Sequence, residues 1–149
     1  MIVGSRDAEK AKLTASEILK VVPNAKVEGI DNKSAAQKAD IIFWGVQGPL
    51  KERHELLKSL ESELNGKIVI DMTNIFYLYD EKSWGQISAV EQNRDVVPSA
   101  KWATGFKSIF QKALDEPIVD GVPRDVQICA DEQSTIDTVK ALVNETGFR

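Results

Sequence analysis

Residues 1–10 read MIVGSRDAEK, and the structure they imply decides how the rest of the chain is parsed. Ile2 and Val3 are strand formers. Gly4-Ser5-Arg6 breaks the apolar run, and Asp7 is a natural helix N-cap. Behind it Ala8, Ala11, Ala15, Ile18, Leu19 and Val22 recur at helical spacing, and Pro23-Asn24 stops the pattern. The stretch is thus a strand remnant, a tight turn and a capped helix. It places Ser5 and Arg6 at the strand's carboxyl end and beside the helix N-terminus.

The same rhythm continues outward. "AKVEGI" (25–30) predicts a short strand and "NKSAAQKAD" (32–40) a brief helix. "DIIFWGV" (40–46) is a continuous apolar run suited to a buried parallel strand. Leu50, Leu56, Leu57, Leu60 and Leu64 predict one helix, closed by Asn65-Gly66. Strands are predicted over 67–74 (KIVIDMTN), 100–106 (AKWATGF) and 125–131 (DVQICAD). Helices are predicted over 83–94, over 107–115 (KSIFQKALD) and, from Ile136, Val139, Leu142 and Val143, up to Thr146-Gly147. Strand–helix alternation of this kind specifies an α/β chain with a mostly parallel sheet and helices on both faces.

Composition narrows the function. A chain of 149 residues is the size of one domain, 1–149. A net charge of −4 and a pI near 5.1 speak against nucleic acid as a partner. No apolar run reaches the roughly 20 residues that span a bilayer, and the charged N-terminus is no secretory signal, so no membrane partner is expected. The lone Cys129 makes no internal disulfide, which suits a cytoplasmic protein. Inside an apolar strand it reads as core. His54, the only histidine, reads as a solvated helix residue, and with one His and one Cys no zinc site is expected. No G-x-S-x-G or G-K-[ST] loop is present, which removes hydrolase and P-loop readings. Trp44, Trp84 and Trp102 read as packing residues, with Trp84 also placed to cap an acceptor ring.

In a parallel sheet of this type ligands sit beyond the strands' carboxyl ends. The informative residues are therefore Gly4-Ser5-Arg6, Gly45-Val46-Gln47, Thr73-Asn74 and Thr104-Gly105-Phe106. Where such a strand reads a nucleotide ribose, an acidic residue suits a free 2′-hydroxyl and a cation suits a 2′-phosphate. Here the strand closes on a hydroxyl and a guanidinium whose fork matches phosphate. Arg6 reads either as that phosphate ligand or as a surface charge beside a normal cap. Thr73 and Asn74 either orient a ring or phosphate or simply open a turn. "GVQGP" is either a Gly-Pro turn or a place where backbone approaches a nicotinamide or adenine.

Taken in order, "IVGSRDAEKA", "ADIIFWGV", "LNGKIVIDMTN", "VVPSAKWATGF" and "DVQICADEQ…VKALVNETGF" resemble the NADP-binding Rossmann domain of the deazaflavin-dependent NADP reductases and of STEAP-type metalloreductases. The resemblance implies a doubly wound sheet, NADP(H) as cofactor, and hydride transfer between NADPH and a flavin or deazaflavin acceptor. It implies that Ser5 and Arg6 contact the 2′-phosphate. Val46 and Gln47 then wall the cofactor, Thr73 and Asn74 flank it, and Phe106 lines the acceptor side. The catalytic residues stay unassigned.

The chain also departs from that family. It contains no G-x-G, whereas the family opens on a strand followed by G-x-G-x-x-G. It has Ile75 where many relatives have Pro, and Lys107 where relatives commonly have Asn. The N-terminal strand missing from this pattern belongs between the strands ending at Ser5 and at Gly45. Three outcomes follow: the chain is part of a longer protein, the strand from Ile2 shifts to pair with 40–46, or a second copy fills the gap in a homodimer. The closed-up sheet and the dimer are the favoured expectations. In each case the main pyrophosphate cradle is lost, so weak cofactor binding is expected. A degenerate, non-catalytic module that acts by protein association or weak nucleotide sensing is the competing function.

Overall fold

The computed structural model describes residues 1–74 and 88–149. Strand β1 (Ile2–Ser5) leads into helix α1 (Ala8–Val21), capped by the Asp7 carboxylate, which accepts from the Glu9 N–H at 3.0 Å. Strand β2 (Glu28–Asp31) pairs parallel to β1, Val3 opposite Gly29. Helix α2 (Asn32–Lys38) follows at once, capped by Asp31. Then come β3 (Ile41–Trp44), α3 (Leu50–Ser59), α4 (Glu61–Leu64), β4 (Ile68–Asp71), α5 (Ala89–Val96) and β5 (Lys101–Thr104). A small hairpin, β6 (Ile118–Val119) and β7 (Val122–Pro123), precedes β8 (Cys129–Ala130) and the last helix α6 (Gln133–Glu145).

β3, β4 and β5 form a parallel ladder, and β8 closes its far side antiparallel to β5. Alternation along these strands sends side chains to two cores, one per sheet face. On one face Trp44, Val69 and Trp102 pack with Leu57, Leu60, Leu64 and Val97 from the helices. On the other, Ile70 and Ala103 pack with Val139, Val143 and Phe148. Trp44 and Trp102 are thus the packing residues that the sequence predicts, and Trp102 Nε1 donates to the Val97 carbonyl at 2.9 Å. Trp84 and Ile75 lie outside the described residues, as does the first part of the helix predicted over 83–94.

The closed-up sheet does not form. β1 pairs with β2 and β3 pairs with β4; among the described residues no strand lies on the other edge of either. Helix α2, not backbone pairing, joins the two parts. It packs on β1, and its Ala36 and Gln37 carbonyls accept from Lys67 Nζ at 2.6 and 2.9 Å. Pairing β1 to β3 would cost this packing, because α2 connects β2 to β3 and its start is pressed against Gly4. A Cβ on Gly4 would lie 3.1 Å from that of Ala35.

Other expectations also need correction. The predicted helix 107–115 is only a 3-10 turn, Gln111–Ala113. Its apolar spacing is right, but Phe110 and Leu114 find no core and stay exposed. The strand predicted over 125–131 is reduced to two residues at the sheet edge, and Cys129 is exposed there rather than buried. The strand predicted over 25–30 runs over 28–31 instead. The single helix expected over 50–64 breaks at Leu60, where the backbone leaves the helical region (φ −105°, ψ 5°). His54 is half-buried, not solvated.

Candidate cofactor site

The first candidate group is set by the β1–α1 turn. Ser5 Oγ accepts from the Asp7 N–H at 3.2 Å, which leaves the Ser5 hydroxyl proton free to donate outward. Arg6 follows at the strand tip, its side chain 71% exposed, and touches Glu52 of α3 at 3.9 Å. An exposed pair of that length is worth no more than about 1 kcal/mol and yields to a stronger anion. The 14-residue α1 directs its positive end to the same place.

Ser5 and Arg6 form the rim of an open cleft of about 420 Å³ between β1, the β2–α2 junction and α3, with Asn32, Lys33 and Ser59 also lining it. The Asp31 carboxylate lies in the same cleft. Hydrogen bonds from Ser34 hold it below the usual carboxylate range, so it is an anion at neutral pH. The cleft therefore offers a hydroxyl and two cations, of which Lys33 is paired with Glu63 at 3.5 Å, and one carboxylate able to accept from sugar hydroxyls.

The second group lies at the carboxyl ends of β4 and β5. Asp71, fully buried, closes β4. Its Oδ1 accepts from the Thr73 N–H at 2.9 Å and the Thr73 hydroxyl at 2.6 Å, and its Oδ2 accepts from Lys107 Nζ at 2.7 Å. Arg53 of α3 donates to the Thr73 hydroxyl at 2.8 Å. Asn74 is exposed, and its amide donates to the Lys107 carbonyl at 3.1 Å. Phe106, half-buried, stands edge-on to Phe148 with ring centroids 5.9 Å apart.

The structure thus joins Thr73, Asn74 and the Phe106–Lys107 turn in one network, and Ser5 and Arg6 in a separate cleft. Val46 packs on the core beside β3, and Gln47 is exposed just beyond it. The Thr73 hydroxyl is committed inside the protein. Arg53, Asn32, Lys33 and Asp71 carry no motif that singles them out in the sequence, and Lys107 stands out only as a departure from the family pattern. The usable signal was Asp71, an acid at the end of the apolar run IVID, which in a buried strand requires a partner.

Residues 1–75 match the family described as NADP oxidoreductase, coenzyme F420-dependent. The chain belongs to this family. Over 75 residues it is 39% identical to the F420-dependent NADP reductase of Methanothermobacter thermautotrophicus and 37% identical to that of Methanothermobacter marburgensis. Each alignment covers 49% of this chain but only 32% and 33% of those proteins, so the match spans about a third of the curated relatives' length. Among solved structures, a protein of Arthrobacter sp. FB24 provisionally assigned as an F420-dependent NADP reductase superposes with a TM-score of 0.78 at 19% identity, over 99% of this chain and 70% of that one. The hypothetical protein SMa0349 of Sinorhizobium meliloti superposes with a TM-score of 0.71 at 20% identity, over 93% and 67%. These likenesses establish the Rossmann-like fold. Ser5, Arg6, Val46, Gln47, Thr73 and Asn74 fall inside the segment matched by the F420-dependent family, and Phe106 falls outside it.

Proposed function

We propose that the chain acts as one NADP(H)-binding domain in hydride transfer between NADPH and a deazaflavin of the F420 type. The observation that carries this reading is the exposed Arg6 guanidinium beside the Ser5 hydroxyl, at the strand tip and the α1 N-terminus. Those groups suit the adenosine 2′-phosphate: a planar cation and a hydroxyl donor line one cleft, and the α1 N-terminus adjoins them. Lys33 adds charge, and Asp31 suits a ribose hydroxyl. For the pyrophosphate, this sequence contains no G-x-G turn.

The bound nicotinamide supplies the hydride, and the reaction needs no protein nucleophile. The residues of this chain bind and orient. Arg6 and Ser5 select the phosphorylated nucleotide, Gln47 and Asn74 stand at the strand ends where the rest of the cofactor runs, and Phe106 presents a ring on the acceptor side. With no helix among the described residues long and apolar enough to cross a membrane, the proposed setting is the cytoplasm.

Titration of the intrinsic fluorescence of NADPH and NADH tests the reading. NADPH should bind about tenfold or more tightly than NADH, as expected for a charge-assisted contact of about 1.5–3 kcal/mol, and Arg6→Ala should erase the difference. Equal affinities in the unaltered chain, or a preference that survives Arg6→Ala, would refute it. That β1 and β3 each pair on one side only among the described residues favours a second reading, a module that works by strand-mediated association, including with its own copy. Absence of binding to either nucleotide, together with self-association in solution, would select it.

A further inference from the structure

Phe106 sits at φ 61°, in the left-handed region that a bulky aromatic seldom occupies. Such a conformation persists only where its surroundings over-determine it, and here they do so from several sides. Before it, Gly105 is buried. After it, Lys107 is fixed at both ends: Nζ on Asp71 Oδ2 at 2.7 Å and the carbonyl under the Asn74 amide at 3.1 Å. The Ile109 N–H closes the turn on the Phe106 carbonyl at 3.3 Å. Asp71 cannot relax away, since its other oxygen holds the Thr73 backbone and hydroxyl.

We infer that the Asp71–Lys107 ion pair is a positioning device that sets the Phe106 ring and the Asn74 amide at the mouth of the site, and so controls the fit of a planar electron acceptor. Asp71 is fully buried and Lys107 mostly so, which keeps the pair from being screened as surface pairs are. Neither residue touches the reacting atoms. Through the backbone of residues 105–107 they hold the Phe106 ring and the Asn74 amide. The assignment to the acceptor side rests on the hydride-transfer reading above, whereas the clamp on Phe106 rests on geometry alone.

Two measurements on the full chain decide it, with Lys107→Met and Lys107→Arg. By hydrogen exchange without ligand, Lys107→Met should speed exchange in the peptide covering residues 104–110 about tenfold, leaving α1 unchanged, and Lys107→Arg should restore protection. In NADPH-dependent reduction of FMN, used as the acceptor probe, Lys107→Met should raise the KM for FMN about tenfold with the KM for NADPH unmoved, and Lys107→Arg should recover it. Unchanged exchange overturns the clamp. Faster exchange with both KM values moving together, or neither moving, overturns the positioning role. No turnover of FMN in the unaltered chain overturns the assignment of this turn to the acceptor side, while NADPH selectivity still decides the cofactor reading and the exchange result still decides the clamp.

Discussion

Arg53 Nη2 lies 2.8 Å from Thr73 Oγ1, and that hydroxyl is the hydrogen-bond partner of a guanidinium only 2% exposed. Its Nε and Nη1 have no partner among the described residues. The positive charge is balanced at one remove, through Thr73 to Asp71, in a chain of donors that already includes Lys107. Buried charge held this way stabilises little, because desolvation offsets the attraction. Arg53→Met should therefore be neutral or stabilising by about 1 kcal/mol. Thr73→Val, which keeps the volume but strips Arg53 of its partner, should cost about 1–3 kcal/mol. Urea midpoints at unchanged slope measure both, and a larger loss for Arg53→Met than for Thr73→Val would contradict the account.

Gly29 marks where β2 and α1 touch backbone to backbone. A Cβ at this position would fall 2.2 Å from the Ala11 carbonyl oxygen and 2.5 Å from the Lys12 nitrogen. No side-chain rotation relieves that overlap, so Gly29→Ala should destabilise by about 3 kcal/mol, the upper part of the range for overpacking. The effect should appear as a lowered urea midpoint, and near-neutral behaviour would mean that the helix does not sit on the strand as described.

His54 gives the folded chain a pH dependence. Burial, and then the charge of neighbouring Arg53, holds its imidazole below the ordinary value of 6.5. Between the folded value and 6.5 the unfolded chain therefore binds more protons, so stability rises with pH across that window and falls as pH drops below about 6.5. His54→Gln should flatten this slope. Denaturant midpoints measured above and below pH 6.5, in both chains, provide the check.

Cys129 lies exposed on β8, so it should react with a thiol reagent without denaturant, and Cys129→Ser should change stability by less than about 0.5 kcal/mol. Mass spectrometry after native alkylation reads the first, and a thermal melt the second.

Much of this architecture was legible in the residues. The helical spacing from Ala8 to Val22 and the runs IIFW and IVID carry one period each over enough residues to override local ambiguity, and α1, β3 and β4 appear where they point. Residues 107–115 show why pattern alone fails. Ile109, Phe110, Ala113 and Leu114 have helical spacing, but the pull of Asp71 on Lys107 and the left-handed Phe106 deny the segment a helical start. Cys129 misled for a related reason. An apolar neighbourhood in sequence does not reveal that a strand pairs on one side only. The placement of Ser5 and Arg6 was legible because a strand tip beside a capped helix has few conformations. The Arg53–Thr73–Asp71–Lys107 network was not, because its members come from three separate segments, α3, the end of β4 and the turn after β5.

Among the described residues β1 and β3 each pair on one side only, and this has a physical consequence of its own. A strand edge open to solvent is a template on which an extended peptide can dock by main-chain pairing. Colloidal behaviour is therefore tied to architecture: turbidity should grow with protein concentration and subside when a strand is supplied from outside.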